Sequence, residues 1–166
     1  MILGMSVHAF TVLHTFISLI AIAFGAVVAV GLIAGRRMSA FTGAFLSTTA
    51  LTSITGFLFP GKLDPARIVG LLSLLVLALA IYAYYVRELA HGWRATYVSS
   101  ALVALYLNCF VAVIQAFQKI PFLHVMAPNG NEAPFAITQL ALLALFITLG
   151  FVSVRRFHPP VQIVVA

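Results

Sequence analysis

Five runs of about twenty consecutive residues without a single charged side chain constrain this chain more than any other feature of it. They are Thr11 to Ala34, Ala40 to Phe59, Ile68 to Val86, Thr96 to Gln118, and Phe135 to Val154. A helix rises 1.5 Å per residue, so a run of about 20 crosses a hydrocarbon core of about 30 Å. Backbone groups in lipid must be satisfied within their own segment, and these lengths suit helices and not the roughly ten-residue alternating strands of a barrel. The expected fold is an all-α integral membrane protein, one domain over residues 1–166 built as a five-helix transmembrane bundle. The second run is the most polar of the five, because it is rich in Ser and Thr. Those hydroxyls can bond back to their own helix, and the run carries no charge.

A chain that is 63% hydrophobic and 7% charged has too little charge for a water-facing surface, so its principal partner is the lipid bilayer. The formal charge of +6 does not point to nucleic acid, because the basic residues sit at the ends of apolar runs and not along one amphipathic face. Arg36, Arg37, Arg87, Arg94, Arg155 and Arg156 fall on one side of the bundle, and Lys62, Arg67 and Lys119 on the other. Cytoplasmic loops carry the excess of Lys and Arg, so the expected topology has the amino terminus outside and the carboxyl terminus inside the cell membrane. The start MILGMSVHAF lacks the basic region of a secretory signal, so the first apolar run is expected to be retained. Within it, Gly25 and Ala29, and then Gly31 and Gly35, have the four-residue spacing that lets helices approach closely in lipid. Cys109 is the only cysteine, lies in an apolar run and reads as packing. Tyr82, Tyr84 and Tyr85, with Trp93 and Tyr97 across the next loop, read as an interfacial aromatic belt on a lipid-facing third helix.

The stretch Tyr106 to Phe135 departs from this apolar background. Asn108, Gln115 and Gln118 are seven and then three residues apart, which is expected to place them on one helix face leading toward the middle of the bilayer. A carboxamide at that depth is costly unless paired. The expected partner is the hydroxyl stripe Thr48, Thr52 and Thr55 of the second helix, and after it Gln139 of the fifth. Such polar contacts serve equally well as interhelical glue. Beyond Gln118 the connection contains Lys119, Pro121, His124, Pro128, Glu132 and Pro134, and its prolines suggest a fixed lid. Glu132 is placed to favour the positive end of the fifth helix or to pair with Lys119, and Asp64 to cap the third helix.

TSITGFLFP, YLNCFVAVIQAFQKIP and MAPNGNEAPF together resemble a group of small, uncharacterised bacterial membrane proteins. In that group the three blocks occur in this order, in forms like TGFxFP, YLNxFV followed by QxF, and APTQxEPPF. The last block departs here at the Thr-Gln and first Pro positions. The resemblance covers most of the chain and implies a bacterial inner membrane, with no known reaction.

Enzyme chemistry is hard to assemble from these residues. A nucleophile with a base and an orienting group, a phosphate loop and a zinc-ligand spacing are all lacking, and the sequence favours a protein that is not an enzyme. Every charged side chain falls at a helix end or in a loop, which argues against proton or cation transport. The reading that follows is a non-enzymatic binding or accessory module, alone or in an oligomer or larger membrane complex. Its polar outer pocket would hold a small or lipid-like ligand through Thr48, Thr52, Thr55, Asn108, Gln115, Gln118, Lys119, Glu132 and Gln139. The alternative is a redox membrane protein in which His14 and His124 hold a b-type haem or a quinone.

Overall fold

The computed structural model describes residues 1–60 and 65–159, with Pro65 and Ala66 as backbone only. The regular elements of the described residues are helices, in the order α1 (Val7–Ile33), α2 (Ser39–Gly56), α3 (Pro65–Ile81) continued by a π-helical turn (Tyr82–Val86), α4 (Trp93–Lys119), α5 (Pro121–Met126) and α6 (Ala133–Arg156). Four segments are long and apolar enough to cross a membrane: Val7–Ile33, Arg67–Val86, Trp93–Lys119 and Ala133–Arg156. The chain is therefore all-α and membrane-like. Helix α2 stands outside that set because eight of its 18 residues are Ser or Thr, which lowers its mean hydropathy. It also stops at Gly56, short of the expected Phe59. The short helix α5, opened by Pro121 at its first position, occupies what the sequence suggested was an irregular connection. The capping role expected of Asp64 lies outside the described residues.

Helix α4 is the axis of the molecule. It packs against α1 and α3, and α2 in turn packs against both of those helices, so α1, α2, α3 and α4 form a ring with α2 and α4 at opposite corners. Helix α6 lies outside the ring, against α4 and α1. It runs antiparallel to α4, with Phe135 against Phe117 (5.4 Å between ring centres) and Phe146 against Tyr106 (5.6 Å). Two of its residues are buried, Gln139 and Ser153, and their fourteen-residue separation marks the narrow stripe that meets its neighbours. The rest of α6 presents Ile137, Leu140, Ile147 and Phe151 outward, as a lipid-facing helix does.

One end of the ring is solid. Thr42 and Tyr97 join α2 to α4 through their hydroxyls at 3.1 Å, and Tyr84 donates to Ser39 Oγ at 3.0 Å. Arg37 donates to the Tyr84 hydroxyl at 3.1 Å and lies 4.6 Å from the centre of its ring. Arg94 donates to the carbonyls of Val154 and Phe157, satisfying groups that the end of α6 leaves without helical partners. This end is called the lower end below, and the end bearing His14, Phe59 and Lys119 the upper. The aromatic belt expected here is half interior: Tyr84 and Tyr97 are 2% and 1% exposed, while Tyr82 and Tyr85 face outward. The reason is the π-helical turn. Its extra residue per turn rotates Tyr84 inward toward Tyr97, where a continuous α-helix with a purely lipid-facing tyrosine cluster was expected.

The small residues of α1 divide in two. Gly25 and Ala29 are buried in the ring, where Gly25 meets Phe45 of α2 and Leu105 of α4. Gly31 and Gly35 serve the helix end instead. Gly35 has φ +68°, and the Arg36 amide donates to the Gly31 carbonyl at 2.8 Å, the pattern of a glycine-terminated helix.

Candidate functional site

The upper half of the ring is open. A cavity of about 600 Å³ lies between α1, α2, α3 and α4, and every one of these helices contributes polar side chains to its wall. Its floor is a bridge between opposite corners of the ring, where Asn108 Nδ2 donates to Thr49 Oγ1 at 3.2 Å. Its upper rim carries Lys119 and Arg67. Eleven residues of α4 separate Asn108 from Lys119, a climb of about 16 Å at 1.5 Å per residue. Most of the wall between floor and rim is apolar, as with Leu19, Ile22, Val69 and Val111.

On α4 the cavity-lining residues are those near Asn108, Gln115 and Lys119, at i, i+7 and i+11. Each step of a helix turns about 100°, so these three fall within about 40° of one another. Gln118 is rotated about 60° from Gln115, is exposed and does not line the cavity, contrary to the single face expected of it. Gln115 is half-buried and makes no hydrogen bond to the described residues.

On α2 the expected hydroxyl stripe separates into three roles. Thr48 lies below the floor and donates to its own helix at Ala44 O (2.7 Å). Thr52 lines the cavity with Oγ1 buried and unpaired. Thr55 donates to Leu51 O at 2.7 Å and stands 2.8 Å from His14 Nδ1. Asn108 thus pairs with Thr49, one position beyond the stripe. Thr42, Thr49 and Ser53, at i, i+7 and i+11, form the α2 face that points across the ring, so the partner of Asn108 comes from that face.

On α1 the sequence marked His14; Thr11, Thr15 and Ser18 line the cavity beside it at helical spacing. Thr11, Thr15 and Ser18 donate to the carbonyls of Val7, Thr11 and His14, each at 2.8 Å. Their protons are committed inside the helix, so toward the cavity these hydroxyls act as acceptors. The Thr55 proton is committed in the same way, which assigns the proton between His14 and Thr55 to His14 Nδ1. Nε2 is then the nitrogen left for a further partner. Phe59 packs edge-on against the imidazole at 5.3 Å and against Phe10 at 5.1 Å, holding the ring in place.

Ser53 and Ser73 also escaped the sequence reading. They are 6% and 3% exposed, line the cavity from α2 and α3, and make no hydrogen bond to the described residues. Ser53 is one hydroxyl among many on α2 and Ser73 a lone serine in an apolar run, so neither carries a signal of its own.

No protein-family model matches the chain, and no curated protein or solved structure matches it either.

The remaining expected site residues lie elsewhere. Gln139 is buried on the far side of α4, where Nε2 donates to Phe110 O at 3.2 Å and Oε1 is unpaired. Phe110 is two residues, or about 200°, from Asn108, so a helix meeting it cannot reach the cavity. The enclosure consequently involves α1 and α3 in addition to α2 and α4, and not α6. Glu132 does not pair with Lys119. Its carboxylate accepts from Asn129 N (3.0 Å), Asn129 Nδ2 (2.8 Å) and Asn131 N (3.0 Å), folding the turn before α6 onto itself. Desolvation pushes the Glu132 carboxyl up, but these hydrogen bonds outweigh it and hold the group down to about 2. Among the described residues, nothing between Pro121 and Pro134 lines the cavity, so the connection is not its lid. His124 is exposed on α5 while His14 lines the cavity, and the two do not share a site. Among the described residues, no group of three His, Cys, Asp or Glu side chains is arranged to hold a metal ion.

Proposed function

We propose that this is a multi-pass protein of the bacterial cell membrane that acts as a non-enzymatic binding or accessory module, holding a small or lipid-like molecule in the cavity between α1 and α4. The observation that carries the reading is the cavity itself. It has about 600 Å³ of open space, within the usual 300 to 1,000 Å³ of small-molecule sites, and its largely apolar wall includes Thr52, whose buried hydroxyl is unpaired, and Ser53, Ser73 and Gln115, which make no hydrogen bond to the described residues. Interhelical glue would pair its carboxamides with protein, as Asn108 and Gln139 partly do, whereas Gln115 makes no hydrogen bond to the described residues.

Helix α2 crosses the membrane as a fifth span in this reading, with α1 and α3 covering Thr42, Thr49, Ser53 and Thr55 and the exposed Ser47 donating to its own helix at Gly43 O. The amino terminus and the upper rim face outward and the carboxyl terminus inward, supported by the excess of arginine at the lower end. A reporter enzyme that works only in the cytoplasm, fused after Arg156, is expected to be active; activity only from a reporter that requires the outside would reverse the orientation. Native mass spectrometry of protein extracted in mild detergent is expected to show a retained small molecule. Spectra that repeatedly give the bare chain mass, from several gentle extractions, would count against a binding role.

A further inference from the structure

The hydrogen-bonding groups at the rim of the cavity differ in kind from those in its deep half. At the rim, Lys119 makes no hydrogen bond or ion pair with the described residues, and Gln115 stands one turn below it on the same face of α4. Arg67 lines the rim from α3 and donates to Phe59 O. No acidic side chain lines the cavity among the described residues. Across from these donors, the α1 wall offers acceptors, because Thr11, Thr15 and Ser18 donate to their own helix. An anion therefore finds its favourable place beside Lys119, on the α4 side of the rim.

The deep end is neutral and suits a hydroxyl. Ser53 and Ser73 bring two buried groups that can donate, and Asn108, with Nδ2 directed to Thr49, leaves Oδ1 to accept. A purely apolar tail reaching this depth would leave all three unpaired, at a cost in affinity. A hydroxyl both donates and accepts, so it can answer Ser53 or Ser73 together with Asn108. From Asn108 to Lys119 the cavity extends about 16 Å, long enough for an extended alkyl or isoprenoid chain, with Leu19, Ile22, Val69 and Val111 along the way.

We propose that the cavity takes an elongated amphiphile that is anionic at the end beside Lys119 and carries a hydroxyl at the end that reaches Ser53, Ser73 and Asn108. This rests on the cavity being a ligand site. The full chain, reconstituted in nanodiscs of uncharged-headgroup lipid, is titrated with dodecanoate, with its ω-hydroxylated form and with the corresponding diol. The ω-hydroxy acid should bind about tenfold more tightly than either of the others. Lys119→Gln, on an exposed side chain, should weaken both acids about tenfold and leave the diol unchanged. Ser53→Ala combined with Ser73→Ala should remove the preference for the hydroxylated acid and leave dodecanoate unchanged. A diol that binds the wild type as well as the hydroxy acid does would overturn the anionic end, and equal affinities for the two acids would overturn the hydroxyl end. If the wild type binds none of the three but retains a different mass on extraction, the proposed ligand class fails while the binding role stands. No binding together with a bare chain mass would remove both.

Discussion

Gly25→Leu is expected to prevent this protein from being recovered as a stable, monodisperse species. A Cβ at position 25 comes within 2.9 Å of Phe45 Cε2 and also runs into Leu105 Cδ1, so the helices at three corners of the ring meet with no room for a side chain. Leu105 can turn its terminal methyl away, but the Phe45 ring is 1% exposed and has nowhere to go. Overpacking of this kind costs about 1 to 3 kcal/mol, and a Leu on a glycine site belongs at the upper end of that range. Gly150 supplies the control. A Cβ there meets nothing within 4 Å, so Gly150→Leu should leave the melting temperature in detergent within a few degrees of wild type. Equal melting temperatures for the two variants would show that α1 does not pack against α2 and α4 as described.

Ala112→Phe is expected to abolish ligand retention while leaving the fold intact. Ala112 is half-buried and lines the cavity one turn above Asn108, so a ring at this position grows into open volume and not into packed neighbours. Filling a cavity tends to preserve or raise stability. A loss of on the order of 100-fold, about 2.8 kcal/mol, is expected for any molecule that needs the full depth. The pairing of unchanged melting with lost binding separates an occluded site from a damaged one. Retention equal to wild type would place the bound molecule outside the ring.

Much of the architecture was legible because lipid imposes a simple rule on sequence. Long runs without charge must become helices, and Arg36, Arg87 and Arg155 mark where such runs stop. Helix rotation was less legible. Asn108 and Gln115 stand out as carboxamides in apolar sequence, but Lys119, and not Gln118, shares their face, because eleven residues come back to within about 20° of three full turns and ten fall about 80° short. Thr49 was hidden among six Ser and Thr residues between Ser47 and Ser53 and Thr55, any of which could have been the inward one. Gln139 shows a different limit: similar depth does not imply adjacency, because α4 itself stands between Gln139 and the cavity. The inward Tyr84 depends on the π-helical turn, a local departure from α-helical geometry that has no plain sequence mark. The Ser53 and Ser73 pair could only appear once α2 and α3 were known to be neighbours.

The central claim is that the upper half of the ring is a ligand site and not merely loosely packed helix. An experimental density map of the wild-type protein, extracted without harsh detergent exchange, tests it most directly. The expected result is continuous, elongated density running from Asn108 toward Lys119 between α1, α2, α3 and α4. Helices closed onto one another with the cavity gone, or a cavity that holds only isolated water peaks, would contradict it.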